Sequence, residues 1–508
     1  MGAATGVSRV AGLARDMVVA NIFGAGFVTD AFFMAFTIPN LLRRFFAEGS
    51  LTAAFVPTFS DVFHKEGEEE ARRVASICFT LLFFIMAVVT IIGILASPVI
   101  VRLIGFGFEG IPGKLELTDA LNRLMFPYIL FVSLLALITG ILNVRGHYFL
   151  PSFSPVLLNL SMIGCAVFLS PQFETPITAL AIGVLLGGVL QLLMQFPLLL
   201  RFGYSLKPLF AFGHPAVKQV SRLMLPGIAG VAIYQINVIV TRLLASFLPE
   251  GSVSYLYYGQ RLFEFPQGII IASLAQAVLP AMSRQMADDD LNGFKESLHY
   301  SFELLLLLIL PATIGLMLCA VPVYSVFFMG GKFAFHAVEQ SGLALVAYAP
   351  GLICVGLSRV IVPAFYAMKD TKTPVWVSFC TLLANVGLGL VLMQFWAHVG
   401  LAIALTLASL FNTLVLVFLL RRRIGTLQLK RLSQSVLRII PATVMMAVVV
   451  WLVLQAGNWQ SLEDRLTNGA VLFSAVASGG LVYLLACRIF GVQALTEIGN
   501  VLRRKGSK

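Results

Sequence analysis

The sequence predicts an all-α polytopic membrane protein, and three observations lead to this fold class. The chain of 508 residues is 59% hydrophobic and only 12% charged, with a mean hydropathy of +0.92, whereas soluble domains are near half apolar and a quarter charged. Its apolar residues recur in runs of about 20, the length of a helix that crosses a bilayer. The runs do not alternate apolar and polar residues, as the strands of a transmembrane barrel do.

About fourteen such runs follow one another along the chain. The predicted spans cover residues 7–24, 26–48, 74–104, 119–142, 151–170, 176–200, 219–248, 253–280, 298–326, 337–366, 375–395, 399–420, 434–455 and 468–490. No clean apolar segment precedes a cleavage site near the start, so we expect the first helix to stay in the mature protein.

An internal repeat relates the first six spans to the next six. Pro57 and Pro280 close the matching phrases LTAAFVP and LAQAVLP, at an offset of 223 positions. The same offset separates Pro127 from Pro350 and Pro151 from Pro374. An even number of spans within the offset indicates a parallel pseudo-twofold repeat, as in many transporters. We therefore predict an N-terminal lobe at 1–210, a C-terminal lobe at 211–425, two extra helices within 426–492 and a cytoplasmic tail at 493–508.

Basic residues concentrate in alternate connections between the spans. Those at 201–222 and 421–431 are rich in Lys and Arg, whereas those at 171–175, 249–252 and 396–398 have none. The positive-inside rule then predicts that both termini are cytoplasmic. The net charge of +11 is explained by this topology, and no nucleic-acid partner is expected.

Several charges nevertheless fall within the spans. The first two spans carry Arg9, Arg15 and Arg43, and a span of the second half carries Arg261. Charges at membrane depth are costly and usually functional. Planar guanidinium groups bind phosphate through paired hydrogen bonds, so gathered arginines predict a cationic cavity for a phosphate-bearing cargo. For any one arginine, snorkelling to the interface or a structural ion pair is the simpler explanation.

The motifs of common enzyme and metal sites are missing from the sequence. It contains no phosphate-binding GxxxxGK[ST], no HExxH and no GxSxG. The six cysteines are scattered in apolar runs without a CxxC pair, which predicts neither a zinc site nor a disulfide framework. We therefore predict a transporter with no catalytic residues and no metal. The charge run from Glu66 to Arg73 is typical of a solvated helix start.

Five phrases carry a resemblance to a known family. They read SRVAGLARD, FGAGFVTDAFFMAFTIPNLLRRFFAEG, FPYIL, PSFSPVLLN and GSVSYLYYGQRLFEFPQG. The chain closely resembles the MurJ/MviN family of lipid II flippases, within the MOP exporter superfamily, over essentially its whole length. The resemblance implies two six-helix lobes and two extra helices, in agreement with the repeat and the span count.

The resemblance also implies a function and a set of site residues. The family moves lipid II, the undecaprenyl-pyrophosphate-linked precursor of peptidoglycan, from the cytoplasmic to the periplasmic leaflet of the inner membrane. Alternating access would carry the head group while the extra helices guide the lipid tail. The implied substrate-binding residues are Arg9, Arg15, Arg43, Arg261, Asp30 and Glu264, with Ser8, Asp16, Asn40 and Glu48 as further candidates.

The expected partners are lipid II and membrane phospholipid, with cell-wall synthesis proteins as further candidates, and a monomer is expected. No cofactor is expected, and the membrane potential or an ion gradient would supply the energy. Some family members have sodium-binding aspartates where this chain has Asn237 and Asn385.

Other functions stay open on the sequence alone. A multidrug or ion-coupled exporter of the same superfamily would share the fold, and another polyprenyl-pyrophosphate saccharide would suit the same arginines. A membrane glycosyltransferase or ligase would need catalytic acids, for which Glu463 and Asp464 are candidates. A scaffold for wall-synthesis proteins would not need buried charge.

Overall fold

The computed structural model describes residues 2–46, 50–425, 429–492 and 495. Within these ranges the chain forms nineteen α-helices joined by short turns, which confirms the all-α fold class. They are α1 (Gly2–Phe23), α2 (Phe27–Phe46), α3 (Ser50–Lys65), α4 (Glu68–Leu95), α5 (Ser97–Ile104), α6 (Lys114–Met125), α7 (Tyr128–Val144), α8 (Phe149–Gly164), α9 (Thr178–Arg201), α10 (Pro215–Ser246), α11 (Ser252–Pro266), α12 (Ala272–Ala287), α13 (Leu291–Leu318), α14 (Ala320–Phe327), α15 (Phe335–Tyr348), α16 (Gly351–Ala367), α17 (Lys372–Ile424), α18 (Leu429–Leu454) and α19 (Arg465–Ile489).

The membrane character of the helices is confirmed, but the count of fourteen spans is not. Among the described residues, eight helical runs are long and apolar enough to cross a membrane, or nine if α15 and α16, bent by 40°, form one span. One physical reason lies in α17, a run of 53 residues that contains two predicted spans and turns at Trp396 and Ala397. The charges of α1 and α2 are another, because they lower the hydropathy of those helices.

Two prolines, Pro98 and Pro39, affect their helices differently. Pro98 lies at the start of α5, where its fixed φ and missing N–H suit the first helical turn, so the span predicted at 74–104 consists of α4 and α5. Pro39 does not end α2, which continues through it to Phe46. Helices in membranes tolerate proline where neighbours satisfy the freed backbone groups.

The predicted repeat is visible in the helix boundaries. The helices α4 and α13 begin and end at the same offset of 223 positions, and so do the pairs α5 and α14, and α7 and α16. Because the boundaries coincide at both ends, the repeat covers whole helices with their connecting turns. The repeat inferred from prolines is thereby confirmed.

The chain divides into two compact units. Unit 1 comprises Met1–Ser254 with Gly331–Phe333, and unit 2 comprises Tyr255–Gly330 with Ala334–Lys508. The predicted lobe boundaries at 210 and 425 follow the repeat rather than packing, and they stay a prediction.

In unit 1, α1 packs on α8, α8 on α9, α2 on α6, and α3 on α7 and α10. The core contains the fully buried rings of Phe55, Phe59 and Tyr128. Gly187 allows α8 and α9 to approach closely, since a Cβ there would lie 2.9 Å from the Cα of Leu158. Small residues permit such contacts between membrane helices.

The charge run at the start of α4 does more than face solvent. Glu68 accepts hydrogen bonds from Arg72 at 2.9 Å and from Arg145. The Arg145 guanidinium also lies 4.9 Å from the ring centre of Phe63 and 5.1 Å from that of Phe202. The acids do occupy the first helical turn, as predicted, but Glu68 also ties α4 to the end of α7.

In unit 2, the C-terminal helices α18 and α19 pack on each other and cover α13 and α14. The Tyr483 hydroxyl donates a hydrogen bond of 2.5 Å to the carbonyl of Leu307. The Ser435 hydroxyl donates one of 2.7 Å to the carboxylate of Glu303, a buried acid on α13. Polar contacts of this kind fix one helix against another inside a membrane.

The repeat shows what these two helices add. Leu307 is 2% exposed, whereas Phe84, the residue 223 positions earlier, is 47% exposed. Val326 is 8% exposed and its counterpart Leu103 is 67% exposed. The outer face of α4 and α5 therefore stays open in unit 1, and α18 and α19 cover the corresponding face of unit 2.

Candidate functional site

Arg15 lies buried on α1 beside Asp16, also buried. The guanidinium donates to one Asp16 carboxylate oxygen through Nε at 3.0 Å and through Nη2 at 2.6 Å. Its third nitrogen, Nη1, donates to the side-chain oxygen of Asn159 at 3.1 Å. A charge at membrane depth is thus held by one acid and one amide, the pairing that makes it tolerable.

Asn159, on α8, connects Arg15 to another predicted residue. Its amide nitrogen donates to the backbone carbonyl of Ser8 at 3.4 Å. Because α1 packs on α8 along this surface, the asparagine fixes the height of Arg15 along the helix pair. Arg9 lies on the same helix and is half-buried. The structure brings Ser8, Arg15 and Asp16 together around Asn159.

A second arginine, Arg43, is held within α2. Its Nε and Nη2 donate to the side-chain oxygen of Asn40 at 3.2 and 3.0 Å. The two residues are three positions apart, so they share one face of the helix. Asn40 is neutral, and this contact orients the guanidinium without cancelling its charge. The predicted candidates Arg43 and Asn40 therefore form one structural pair.

The predicted acid Asp30 lies near the start of α2 in a dense set of hydrogen bonds. Its carboxylate accepts from Lys114 Nζ at 3.0 Å and from the Gly251 amide at 2.8 Å. It also accepts from the Ser254 amide at 2.9 Å and from the Ser254 hydroxyl at 2.7 Å. The two amides belong to the start of α11, so Asp30 caps that helix from outside and complements its dipole.

Glu250 makes the reverse contact. Its carboxylate accepts a hydrogen bond of 2.7 Å from the amide of Phe27, the first residue of α2. Each of the two helices therefore has its N-terminus capped by an acid from the other segment. Nearby, Arg242 donates to the backbone carbonyl of Val253 at 3.0 Å.

In unit 2, Arg261 and Glu264 lie one turn apart on α11. The closest guanidinium and carboxylate atoms are 3.4 Å apart, and both side chains are about a third exposed. The Arg261 guanidinium lies 5.3 Å from the ring centre of Tyr257, a favourable cation–π distance. A loose, partly exposed ion pair can exchange its partner for a ligand more easily than a buried one.

The structure therefore groups the predicted residues into local clusters. Glu48 lies outside the described residues. Sequence reasoning missed Asn159 and Lys114, which hold Arg15 and Asp30 in place, and Glu250, which caps the start of α2. The repeat offset offered a signal for Glu250, because it matches the turn before α2 with the turn before α11. In the described part of the chain, no group of three or more His, Cys, Asp or Glu side chains could hold a metal ion.

A family model and a curated relative both match nearly the whole chain. The family model described as "Lipid II flippase MurJ" matches residues 19–463. A protein of Vibrio cholerae named "Probable lipid II flippase MurJ" is 38% identical over 509 residues, which cover 97% of this chain and 97% of that protein.

Two solved structures share the fold. One, described as "Lipid II flippase MurJ, inward closed conformation", matches with a TM-score of 0.78 at 26% identity, over 96% of this chain and 98% of that one. The other is an inward-facing multidrug resistance MATE transporter of the MOP superfamily. It matches with a TM-score of 0.71 at 16% identity, over 83% of this chain and 95% of that one, and shows the likeness of fold alone. On the family model and the close relative, this chain belongs to the lipid II flippase MurJ family.

Proposed function

We propose that this chain moves lipid II from the cytoplasmic to the periplasmic leaflet of the inner membrane by alternating access. Family membership supports the substrate. The observation that carries the proposal is Arg15, a buried guanidinium held by Asp16 and Asn159 on a helix that otherwise reads as membrane-spanning. Charge of this kind at membrane depth is retained for a purpose.

The pyrophosphate of lipid II suits the arginines chemically. A guanidinium fork binds phosphate oxygens through two parallel hydrogen bonds. Asn40 orients Arg43 in unit 1, and Glu264 pairs loosely with Arg261 in unit 2, so a phosphate can compete for the contacts of either arginine. Arg9 and Arg15 complete the proposed set. When the cargo leaves, Asp16 and Glu264 would form their ion pairs with Arg15 and Arg261 again. These ion pairs would compensate the charge of the arginines and so favour release.

The prenyl tail would stay in the lipid phase, because transferring each CH₂ group to water costs about 0.8 kcal/mol. The extra helices α18 and α19 are the proposed tail guide. Near the end of α18, Trp451 lines a cavity of about 260 Å³ together with Trp459 and Leu318. The lining is mixed, with Gln455 beside the two tryptophans, and the indole faces are the part that suits a hydrocarbon chain.

The energy would come from the membrane potential or an ion gradient. A potential of 100 mV supplies about 2.3 kcal/mol for each charge that crosses the membrane. The basic connections support an orientation with both termini cytoplasmic. A monomer in contact with membrane phospholipid, with cell-wall synthesis proteins as further partners, completes the proposal, together with lobes at 1–210 and 211–425.

The test is a leaflet-accessibility assay for lipid II in cells depleted of other flippases. Loss of this chain should leave lipid II in the cytoplasmic leaflet, and an Arg15→Ala variant should insert into the membrane but fail to restore exposure. The control is Arg102→Ala, which removes an exposed ion pair with Glu109 and should restore exposure fully. Normal lipid II exposure without the chain would refute the function.

A multidrug exporter of the same superfamily is the second candidate, favoured by the fold shared with a MATE transporter. Exporters of cationic drugs need acidic or aromatic groups, whereas the proposed site is rich in arginine. Drug resistance that depends on the chain, without any change in lipid II exposure, would favour this candidate.

A further inference from the structure

Lys114 has no part in the function proposed above, yet its position demands an explanation. It is the first residue of α6, and its side chain is 1% exposed. A positive charge at a helix N-terminus is unfavourable, because the helix dipole is positive there. Burying a lysine is costly as well, unless its charge is compensated. Nothing local to α6 favours lysine at this position, so its partner must lie elsewhere.

That partner is Asp30, far earlier in the sequence on α2. The Lys114 ammonium lies 3.0 Å from the Asp30 carboxylate, which is also 1% exposed. The ammonium further lies 4.3 Å from the ring centre of Phe108 and 5.6 Å from that of Phe27. Aromatic faces at such distances favour a cation over a neutral group. The surroundings of Lys114 therefore offer it an anion and two aromatic faces.

Charge distinguishes Lys114 from the other hydrogen-bond donors to Asp30. The remaining three hydrogen bonds come from the Gly251 amide and from the amide and hydroxyl of Ser254. Those groups are neutral. They satisfy the oxygens of the carboxylate, and the dipole of α11 offsets part of its charge. Among these donors only Lys114 carries a full positive charge, and a buried ion without a counter-ion is strongly destabilising.

We propose that Lys114 is a positioning residue for transport: it offsets the charge of Asp30, so that the carboxylate can stay buried and hold the start of α11 against the start of α2. The inference rests on the proposed function, because alternating access requires contacts of this kind to form and break. Lys114 acts through Asp30 and does not contact the cargo. Without it, closing this contact would bury an uncompensated charge, and the open form would gain population.

A cysteine reporter can measure how often this contact opens. Ser252 is 2% exposed in the first turn of α11, so a Ser252→Cys variant should react with a membrane-impermeant maleimide only when the contact opens. We expect Lys114→Met to raise the labelling rate about tenfold or more in the full-length chain in vesicles. Arg102→Met, which removes the exposed pair with Glu109, is the matched control and should leave the rate unchanged.

The double variant Asp30→Asn with Lys114→Met separates charge compensation from lost packing. It removes both buried charges, so its labelling rate should return toward that of the parent, while Asp30→Asn alone should label as fast as Lys114→Met. A second reporter, Ser133→Cys, lies fully buried on α7 and reveals general unfolding. If Lys114→Met unfolds, protection of both reporters in the double variant still supports the proposal.

Two results would overturn it: a parental labelling rate in Lys114→Met, or a double variant that labels as fast as either single variant. The labelling needs no cargo, so it stands even if lipid II is the wrong substrate. Transport provides the final readout. Lys114→Met should lower the maximal rate of lipid II transport and leave the half-saturating concentration of lipid II unchanged. A raised half-saturating concentration with an unchanged maximal rate would instead show that Lys114 contacts the cargo.

Discussion

The amide of Phe27 donates a hydrogen bond of 2.7 Å to Glu250, a residue 223 positions further along the chain. That separation is the offset of the internal repeat, so the contact joins two corresponding turns. Asp30 makes the return contact to Gly251 and Ser254. The repeat-related residues themselves differ, since glutamate stands opposite phenylalanine in the alignment of the two halves. The halves therefore share a backbone plan, while each supplies its own side chain to cap the other segment.

Removing the cap on α2 should destabilise unit 1. We expect Glu250→Ala to lower the free energy of unfolding by about 1 kcal/mol, because the Phe27 amide loses its acceptor and the helix N-terminus loses a favourable charge. Thermal unfolding in detergent measures the effect. The control Glu174→Ala removes an exposed acid from another turn of the same unit and should change little; equal losses would mean that the Phe27 contact is not the cause.

Asn159 should matter for transport through Arg15. An Asn159→Leu variant leaves Nη1 of Arg15 without this acceptor, and we expect lipid II transport to fall about tenfold at an unchanged protein level. The exposure of lipid II on the periplasmic leaflet reports the rate. Leu160→Ala, at an exposed neighbouring position on the same helix, serves as the control. Full activity of Asn159→Leu would show that Arg15 needs no second partner.

The covered and open faces of the repeat allow a matched comparison. Leu307→Ala should cost about 2–5 kcal/mol of unfolding free energy, because a cavity forms beneath α18 and α19. Phe84→Ala, at the corresponding open position, should cost less than about 1 kcal/mol, since lipid or detergent fills the space. Chemical denaturation of the two purified variants measures both free energies of unfolding. A larger loss of stability for Phe84→Ala than for Leu307→Ala would contradict the burial assigned to the two positions.

The turn inside α17 stores backbone strain that a single substitution can release. Ala397 has φ of 46° and ψ of −127°, a conformation that only glycine adopts freely. Ala397→Gly should raise the free energy of unfolding by about 0.5–1 kcal/mol. In contrast, Ala404→Gly, in the helical part of α17, should lower it by about 1 kcal/mol. A destabilised Ala397→Gly protein would refute the strain.

Asp370 should make stability depend on acid. It lies between α16 and α17, accepts hydrogen bonds from Thr373 at 3.0 and 2.6 Å, and pairs with Arg423 at 2.6 Å. Burial raises the pKa of this carboxyl, but the hydrogen bonds from Thr373 and the charge of Arg423 lower it by more. Its pKa therefore lies below the ordinary value of 3.8.

Because the pKa of Asp370 is lowered in the folded state, its carboxylate stabilises the fold at neutral pH and not in strong acid. The stabilisation is complete above the unfolded-state pKa and disappears as the pH falls below 3.8 through the lower folded-state value. Melting temperature measured against pH should drop in this range for the parent chain and less steeply for Asp370→Asn. Parallel curves for the two proteins would show that this carboxyl does not contribute.

Much of the fold could be predicted from sequence because it rests on local patterns. Apolar runs define helices, and recurring prolines at one offset define the repeat. Arg15, Arg43 and Arg261 stood out because charges are rare in such runs. The number of spans is harder to settle from length and hydropathy, since α17 contains two predicted spans on either side of the turn at Trp396–Ala397, and the charges of α1 and α2 lower the hydropathy of two helices that the sequence predicts as spans.

The partners of the site residues could not be predicted, because they depend on tertiary contacts. Asn159 lies 144 residues from Arg15, and Lys114 lies 84 residues from Asp30. Lys114 follows Pro112 and Gly113 in the sequence, where a lysine is typical of an exposed turn. Only the packing of α6 on α2 reveals that it is a buried counter-ion.

The cover that α18 and α19 provide also sets an order of events at the ribosome. Unit 1 lies almost entirely before Tyr255, so its helices can pack early, as N-terminal domains generally do. The face of α13 that α18 and α19 cover stays uncovered until those two helices have been made. Glu303 meets the Ser435 hydroxyl that satisfies it only after 132 more residues have been made. During synthesis this acid spends that interval without its final neighbour, and a nascent chain stalled before α18 would stay in that state.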